Sequence, residues 1–235
     1  MRAKSQLLAE QLSRAPRRKR SGRRSTPRLP HSVRRAQILG KAVELFAEYG
    51  LTAQTRALAD ACGVSQRLLY RFFPTKAALV EEVYQSEIVG PFKAAWFVHL
   101  SDRSKPMEQR LNEFYREYYA GVLKRRWLRL FLYASLAEVD MAPTYIAEII
   151  TRMLELIVQE AAHERGLPLP AERGAHHELA WTLHGAVSHL AIRRHIYRSD
   201  NPVPADEVIG MYVRVFLAGL PAALEGSRPE HELVA

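Results

Sequence analysis

From Ser32 onward, apolar residues recur with a period near 3.6: Ile38, Leu39, Ala42, Val43, Leu45, Phe46 and Tyr49 share one stripe. Ser32 stands where an N-cap belongs and Gly50 supplies a stop, so the pattern predicts a first helix of about five turns. A short second helix over roughly residues 55–61 carries Leu58, Ala59 and Cys62 on one side and ends at Gly63, where a left-handed turn costs least. A third starts at Ser65 and stops near Phe73, because Pro74 cannot continue it. Thr75 then caps a fourth, which turns Leu79, Val80, Val83, Tyr84, Ile88 and Val89 inward and ends at Gly90.

Beyond Gly90, prolines at 91, 106, 143, 168, 170, 202 and 204 punctuate the chain. Between them lie helical patterns at about 92–100, 106–136 with a candidate break near Arg125, 143–165, 171–198 and 205–224. Neither strand-type alternation nor an internal repeat is present, so the expected fold is all-α with nine or ten helices.

Charge changes this picture only at the N-terminus. The formal charge is +9, yet residues 1–35 hold twelve Lys and Arg against the single acid Glu10, leaving the rest of the chain at −2. Residues 1–30 mix Arg, Lys, Ser and Pro with few large apolar side chains, and read as a disordered basic arm. A lone Cys62 excludes an intramolecular disulfide framework and a cysteine-ligated zinc site. The arm lacks the apolar core of a secretory signal, and the most apolar segment, Val208 to Leu224, is interrupted by Arg214 and Pro221. A cytoplasmic protein without a membrane span is therefore expected.

The second and third helices, separated by a tight turn at Gly63, have the spacing of a helix-turn-helix. Periodicity turns Leu58, Ala59, Val64, Leu69 and Phe73 inward and leaves Gln66, Arg67, Tyr70 and Arg71 on the outer face. Arg and Gln are the side chains that read guanine and adenine edges in a major groove. A solvated charged face is the bland alternative, and for Cys62 simple packing is the preferred reading.

Several pieces then fall in register over some 45 residues: Ile38-Leu39 through Ala47-Glu48-Tyr49-Gly50, Thr55-Arg56-Ala57-Leu58-Ala59, Gly63-Val64-Ser65, Leu69-Tyr70, and Phe73-Pro74-Thr75-Lys76 with Leu79. Together they resemble the DNA-binding domain of the TetR family of bacterial transcriptional regulators. The resemblance implies a DNA-contacting set of Thr55, Arg56, Ser65, Gln66, Arg67, Leu68, Tyr70, Arg71 and Lys76. In it Arg56 reaches the groove from the second helix, Thr55 touches backbone, and Tyr70 bonds a phosphate. Lys76 meets a phosphate at a helix N-terminus. The chain departs from the family pattern at Gln54, Arg67, Leu68 and Phe72: the second helix lacks its usual hydroxyl cap, Leu68 can meet a thymine methyl, and Phe72 can serve the core.

The implied organisation is a basic arm (1–30), a three-helix helix-turn-helix domain (31–80), a helical ligand-binding and dimerisation domain (81–224) and a flexible tail (225–235). Clustered aromatics suggest an apolar effector pocket, with Trp96, Tyr115, Tyr118, Tyr119, Trp127, Phe131, Trp181 and His184 as candidate lining. The last two long helices, through Leu183, Ala186, Val187 and Leu190 and through Val208, Met211, Tyr212, Val215, Phe216 and Leu220, are the expected homodimer interface.

His177, Trp181, His184, Ser188 and His195 fall near one helix face, without a metal assigned to them. Glu160 and His163 make one Glu-x-x-His pair where a di-iron bundle needs two, and both are expected opposite the Met153, Leu154, Ile157 and Ala161 stripe. No Gly-rich phosphate loop, Gly-x-Ser-x-Gly or His-Glu-x-x-His motif occurs, so no enzyme activity and no cofactor are expected. The expected function is a ligand-responsive homodimeric repressor on a near-palindromic duplex operator, with an unidentified small-molecule effector. The rival is a constitutive architectural or activating DNA-binding protein driven by its basic arm.

Overall fold

A computed structural model of the chain describes residues 30–137, 141–169 and 173–225; those residues form helices and their connections, with no strand among them. The basic arm and the C-terminal tail lie outside the described residues except for Pro30 and Glu225. Residues 1–34 and 35–235 separate as two units, and of the first only residues 30–34 are described.

Helix α1 spans His31–Tyr49, starting one residue before the expected cap. The Arg34 N–H donates to the Pro30 carbonyl at 3.0 Å, which places Ser32 inside the first turn. Its buried residues, Ile38, Ala42, Val43, Phe46 and Ala47, follow most of the predicted stripe, but Tyr49 at the end of that stripe is 56% exposed. Burying each of the larger ones is worth about 1.5–3 kcal/mol. The chain then reverses at Gly50, whose φ of +82° disfavours any side chain and whose absent Cβ would touch the Tyr133 ring at 3.4 Å.

Helices α2 (Thr55–Ala61) and α3 (Gln66–Phe72) fall where the pattern put them. Gln54 flanks α2 without a side-chain cap, whereas the Ser65 hydroxyl accepts the Leu68 N–H at 3.2 Å and starts α3. Between them Gly63 adopts φ +63° while the Val64 N–H reaches back to the Ala59 carbonyl at 3.0 Å, closing the turn. Helix α4 (Lys76–Val83) is capped by Thr75, whose hydroxyl accepts the Ala78 N–H at 3.0 Å. It runs on through a wider π turn over Tyr84–Val89, ended by the Gly90 N–H on the Gln85 carbonyl at 2.9 Å.

The rest comprises α5 (Ala95–Leu100), α6 (Met107–Gly121), α7 (Arg125–Leu136), α8 (Met141–Tyr145), a second π turn (Ile146–Ile150), α9 (Thr151–Glu164), α10 (Arg173–His195) and α11 (Ala205–Glu225). The long 106–136 pattern therefore breaks after Gly121 into two helices. Pro143 sits within the first turn of α8, where a missing N–H is harmless, and Pro221 is absorbed in the last turns of α11. Segment Ala205–Leu224 is long and apolar enough by composition to cross a membrane, but here Ile209, Val213 and Leu220 are buried as α11 packs on α6 and α10.

Helix α6 is the central element: α5, α9, α10 and α11 all pack on it, around Met107, Leu111, Phe114, Tyr115 and Tyr118. One expectation is corrected here. His163 is exposed, but Glu160 does not face solvent with it; Glu160 is buried and bonded to Arg110, a guanidinium only 2% exposed, at 3.0 Å. Arg103 grips the same carboxylate through Nε at 3.0 Å and Nη2 at 2.9 Å, and Arg110 also donates to the Leu100 carbonyl at 2.6 Å. The Arg103 hydrogen bond, seconded by Arg110, lowers the Glu160 pKa against the opposing effect of burial. This ion cluster ties α5 and α6 to α9, a partnership invisible to the periodicity of α9 alone.

Candidate functional site

The outer face of α3 presents Gln66, Arg67, Tyr70 and Arg71, all exposed, above an inner face on which Leu69 and Phe73 are buried. Arg67 and Arg71 stand four residues apart, as do Gln66 and Tyr70, giving two neighbouring rows along one short helix. Arg56 adds a third exposed guanidinium from α2, and Thr55 is half-buried at the start of that helix. Ser65 is exposed and engaged in its cap, Leu68 is half-buried with part of its side chain accessible, and Lys76 is half-buried in the first turn of α4.

The side chains of Arg56, Arg67, Arg71 and Lys76 make no hydrogen bond or ion pair with any described residue. Arg35, by contrast, pairs with Glu82 and lies over the Phe73 ring at 5.0 Å, bracing α1 against the end of α3 and α4. Phe72 packs partly against the core, as its departure from the family pattern suggested. Cys62 is half-buried with its Sγ 3.9 Å from the Ile38 carbonyl, and burial pushes its thiol pKa up, as befits a packing residue.

A second feature lies in the helical body. A cavity of about 170 Å³ is lined by Tyr118 of α6, by Trp127, Phe131 and Leu132 of α7, and by Trp181, His184 and Ser188 of α10. Tyr145 of α8, with Ile146 and Ile150 of the second π turn, closes another side. Of the eight residues expected to line a pocket, the fold thus gathers Tyr118, Trp127, Phe131, Trp181 and His184 around one space.

Trp96, Tyr115 and Tyr119 are elsewhere. Trp96 is buried with its indole N–H on Glu117 at 2.6 Å, Tyr115 is core beside Phe114, and Tyr119 is half-buried against the His195 ring at 5.8 Å. Tyr145, Ile146 and Ile150 come from a different segment of the chain and join the others only by packing, which residue spacing within one helix does not signal.

Of the expected α10 face, His177, Trp181, His184 and Ser188 lie together, whereas His195 packs against Tyr119 of α6. His177 Nε2 accepts the Trp181 indole N–H at 2.7 Å, and His184 packs 5.3 Å from Trp181 and 5.5 Å from Tyr118, ring centre to ring centre. Burial lowers the His184 pKa to about 4, so the imidazole is neutral at pH 7. Burial likewise raises the Tyr145 pKa, to about 12.

Helix α7 joins the two features. Its Trp127 and Phe131 rings, stacked at 4.7 Å, line the cavity, while Arg129 points the other way, to the C-terminal end of α1. There the Arg129 guanidinium donates to the Ala47 carbonyl and, at 2.7 Å, to the Glu48 carbonyl, and it is braced by the Tyr133 hydroxyl at 2.9 Å. Such a cation satisfies carbonyls that a helix end leaves orphaned and complements its dipole. The same helix also holds the π turn after α4, through the Trp127 indole N–H on the Ile88 carbonyl at 3.3 Å and Arg126 on Glu87 at 3.0 Å.

Comparison with known proteins accords with this arrangement. Residues 38–83 match the family described as bacterial regulatory proteins, tetR family. Over 198 residues the chain is 28% identical to the HTH-type transcriptional repressor KstR2 of Rhodococcus jostii (strain RHA1), covering 80% of this chain and 92% of that protein. Among solved structures, a TetR-like transcriptional regulator from Rhodococcus sp. RHA1 aligns with a TM-score of 0.61 at 20% identity, over 82% of this chain and all of that one (100%). A transcriptional regulator from Pseudomonas aeruginosa PAO1 aligns at 0.64 and 18% identity, over 84% of this chain and 96% of that one. At these identities the structural matches speak to fold: all-α, with an N-terminal helix-turn-helix.

Proposed function

We propose, from the match of residues 38–83 to the tetR family of bacterial regulatory proteins, that the protein is a cytoplasmic, homodimeric repressor of that family. It binds a near-palindromic duplex operator and releases it when a small molecule enters the helical body. The observation that carries this reading is the exposed face of Gln66, Arg67, Tyr70 and Arg71, whose cations have no partner among the described residues. Arg67 and Arg71 are suited to guanine edges or flanking phosphates, Gln66 to adenine, and Arg56, Tyr70 and Lys76 to backbone. The relative named as a repressor supports the sign of regulation.

Dimerisation is supported by α11. Met211 is 49% exposed and Val215 67% exposed, and with exposed Ala218 and Ala222 they make a continuous apolar stripe on its outer side, while Val208, Phe216 and Leu220 are used internally. One short recognition helix reads few base pairs; two held about 34–36 Å apart read successive major grooves. Regulation is supported by α7, which shares its residues between the cavity wall and the end of α1. An occupant that displaces Trp127 or Phe131 also displaces Arg129 and the π turn after α4, and so re-aims α3. The shift in operator affinity is bounded by the effector's differential affinity for the two arrangements.

The cavity favours this reading over a constitutive DNA-binding protein driven by its arm. Selection of bound sequences from a random duplex pool at near-physiological salt tests both. A near-palindrome is expected, with Arg67→Ala relaxing preference at defined positions. Enrichment without a motif, or a salt slope with no sequence preference, would reject it.

A further inference from the structure

The chemistry of the cavity wall restricts what can occupy it. None of the described lining residues is Lys, Arg, Asp or Glu. The nearest guanidiniums along α10 are turned away and engaged, Arg193 on the Tyr212 hydroxyl at 3.0 Å and Arg194 on the Val203 carbonyl. An ionised occupant would shed its hydration with no counter-charge to meet it, which is prohibitive in an apolar site. The apolar part of the wall is largely aromatic, made of Trp127 and Phe131, stacked on one another with 12° between their planes, and of Trp181 from α10. A planar ring can extend such a stack or meet its edges with good contact.

The wall is not wholly apolar. His184 Nδ1 is buried without a hydrogen-bond partner, and the buried Tyr145 hydroxyl interacts with the Tyr118 side chain without making a hydrogen bond of normal geometry; both residues line the cavity, one from α8 and one from α10. Ser188 and Tyr118 line the same cavity. Buried polar atoms are nearly always satisfied, so an orphaned His184 Nδ1 and an incompletely bonded Tyr145 hydroxyl on one cavity wall point to a group that completes them. A neutral imidazole and a phenol each offer one donor and one acceptor, which suits a hydroxyl or carbonyl and does not require charge. The size is limited as well: an apolar cavity of about 150 Å³ accommodates benzene, and this one measures about 170 Å³.

Building on the regulatory reading above, we propose that this cavity takes an uncharged single-ring molecule bearing one hydroxyl or carbonyl group, its ring packed among Trp127, Phe131 and Trp181 and its polar group among Tyr145, His184 and Ser188. Simple phenols have this chemistry. Carboxylates and larger ionic conjugates do not.

Isothermal titration of the full-length protein with 4-methylphenol, toluene and 4-methylbenzoate tests the proposal directly. The phenol should bind more tightly than toluene by on the order of tenfold, the worth of one or two hydrogen bonds, and the carboxylate should give no binding heat over the same range. Tyr145→Phe, which keeps the ring, should bring the phenol close to toluene and leave toluene unchanged, with a thermal melt confirming that the variant folds. Equal affinity for the phenol and the carboxylate, equal affinity for the phenol and toluene, or no heat from any of the three at millimolar concentration would each overturn it. The titration contains no DNA, so its failure leaves operator binding standing, and a failed operator selection leaves the cavity result standing.

Discussion

His184 offers a test of the cavity wall through proton linkage. Its ring is buried between Tyr115, Tyr118 and Trp181, and burial holds its pKa near 4 against an ordinary value of 6.5. The native state therefore refuses a proton that the unfolded chain accepts. The stability this contributes is complete above the unfolded pKa, about 6.5, and is lost as pH falls toward the folded value near 4. The drop from 6.5 to about 4 corresponds to about 3 kcal/mol over the whole span, of which about 1 kcal/mol is lost between about pH 7 and pH 5.5.

That upper window precedes most carboxylate titration, which would otherwise confuse the reading. Glu113, Glu117 and Glu160, lowered chiefly by hydrogen bonds from Lys105, Lys93 and Arg103, titrate below it. Urea unfolding of wild type and of His184→Phe at both pH values isolates the contribution, because His195, also lowered by burial, is common to both proteins. Wild type should lose about 1 kcal/mol more than the variant across the window. Equal losses would refute the argument and mean that the ring is hydrated from the cavity or free to turn out of its site.

Three other outcomes follow from particular contacts. Glu160→Ala strands the buried Arg110 guanidinium and should lower unfolding stability by about 3–5 kcal/mol in urea titration, whereas a loss below about 1 kcal/mol would mean that Arg110 finds water or Glu164 instead. Arg129→Leu removes the cation from the Ala47 and Glu48 carbonyls; a loss of about 1–3 kcal/mol is expected on thermal or urea unfolding, and an unchanged midpoint would deny the clamp any role. Val215→Arg with Met211→Lys places charge on the apolar stripe of α11 and should shift sedimentation from dimer to monomer with the melting temperature of the monomer preserved; a persistent dimer would move the interface elsewhere.

Residue spacing alone determined most of the helix-turn-helix, and it did so because the interactions are local. Gly63 in a left-handed turn, Ser65 and Thr75 as caps, and the inward Leu58, Leu69 and Phe73 all act within a few residues of themselves, so composition and period specify them without reference to the rest of the chain. The exposed row of Gln66, Arg67, Tyr70 and Arg71 follows by subtraction. Gln54 at the start of α2 was also legible as a weak cap, since an amide on a longer stem did not replace the hydroxyl there.

Beyond the first domain, periodicity identified the helices and left their partners open. It could not tell that Trp96 and Tyr115 fill the core while Trp127, Phe131, Trp181 and His184 face a cavity, because all of these are large rings on apolar stripes and only the meeting of α6, α7, α8 and α10 separates them. It placed Glu160 with solvent because α9 by itself offers no counter-charge; that charge arrives from Arg110, fifty residues earlier in the chain. The two π turns and the Arg129 clamp belong to the same class. A helix determines from its own residues which side is apolar, but what that side meets is determined by the packing of helices distant in sequence, and it is there that the cavity and its link to α1 are made.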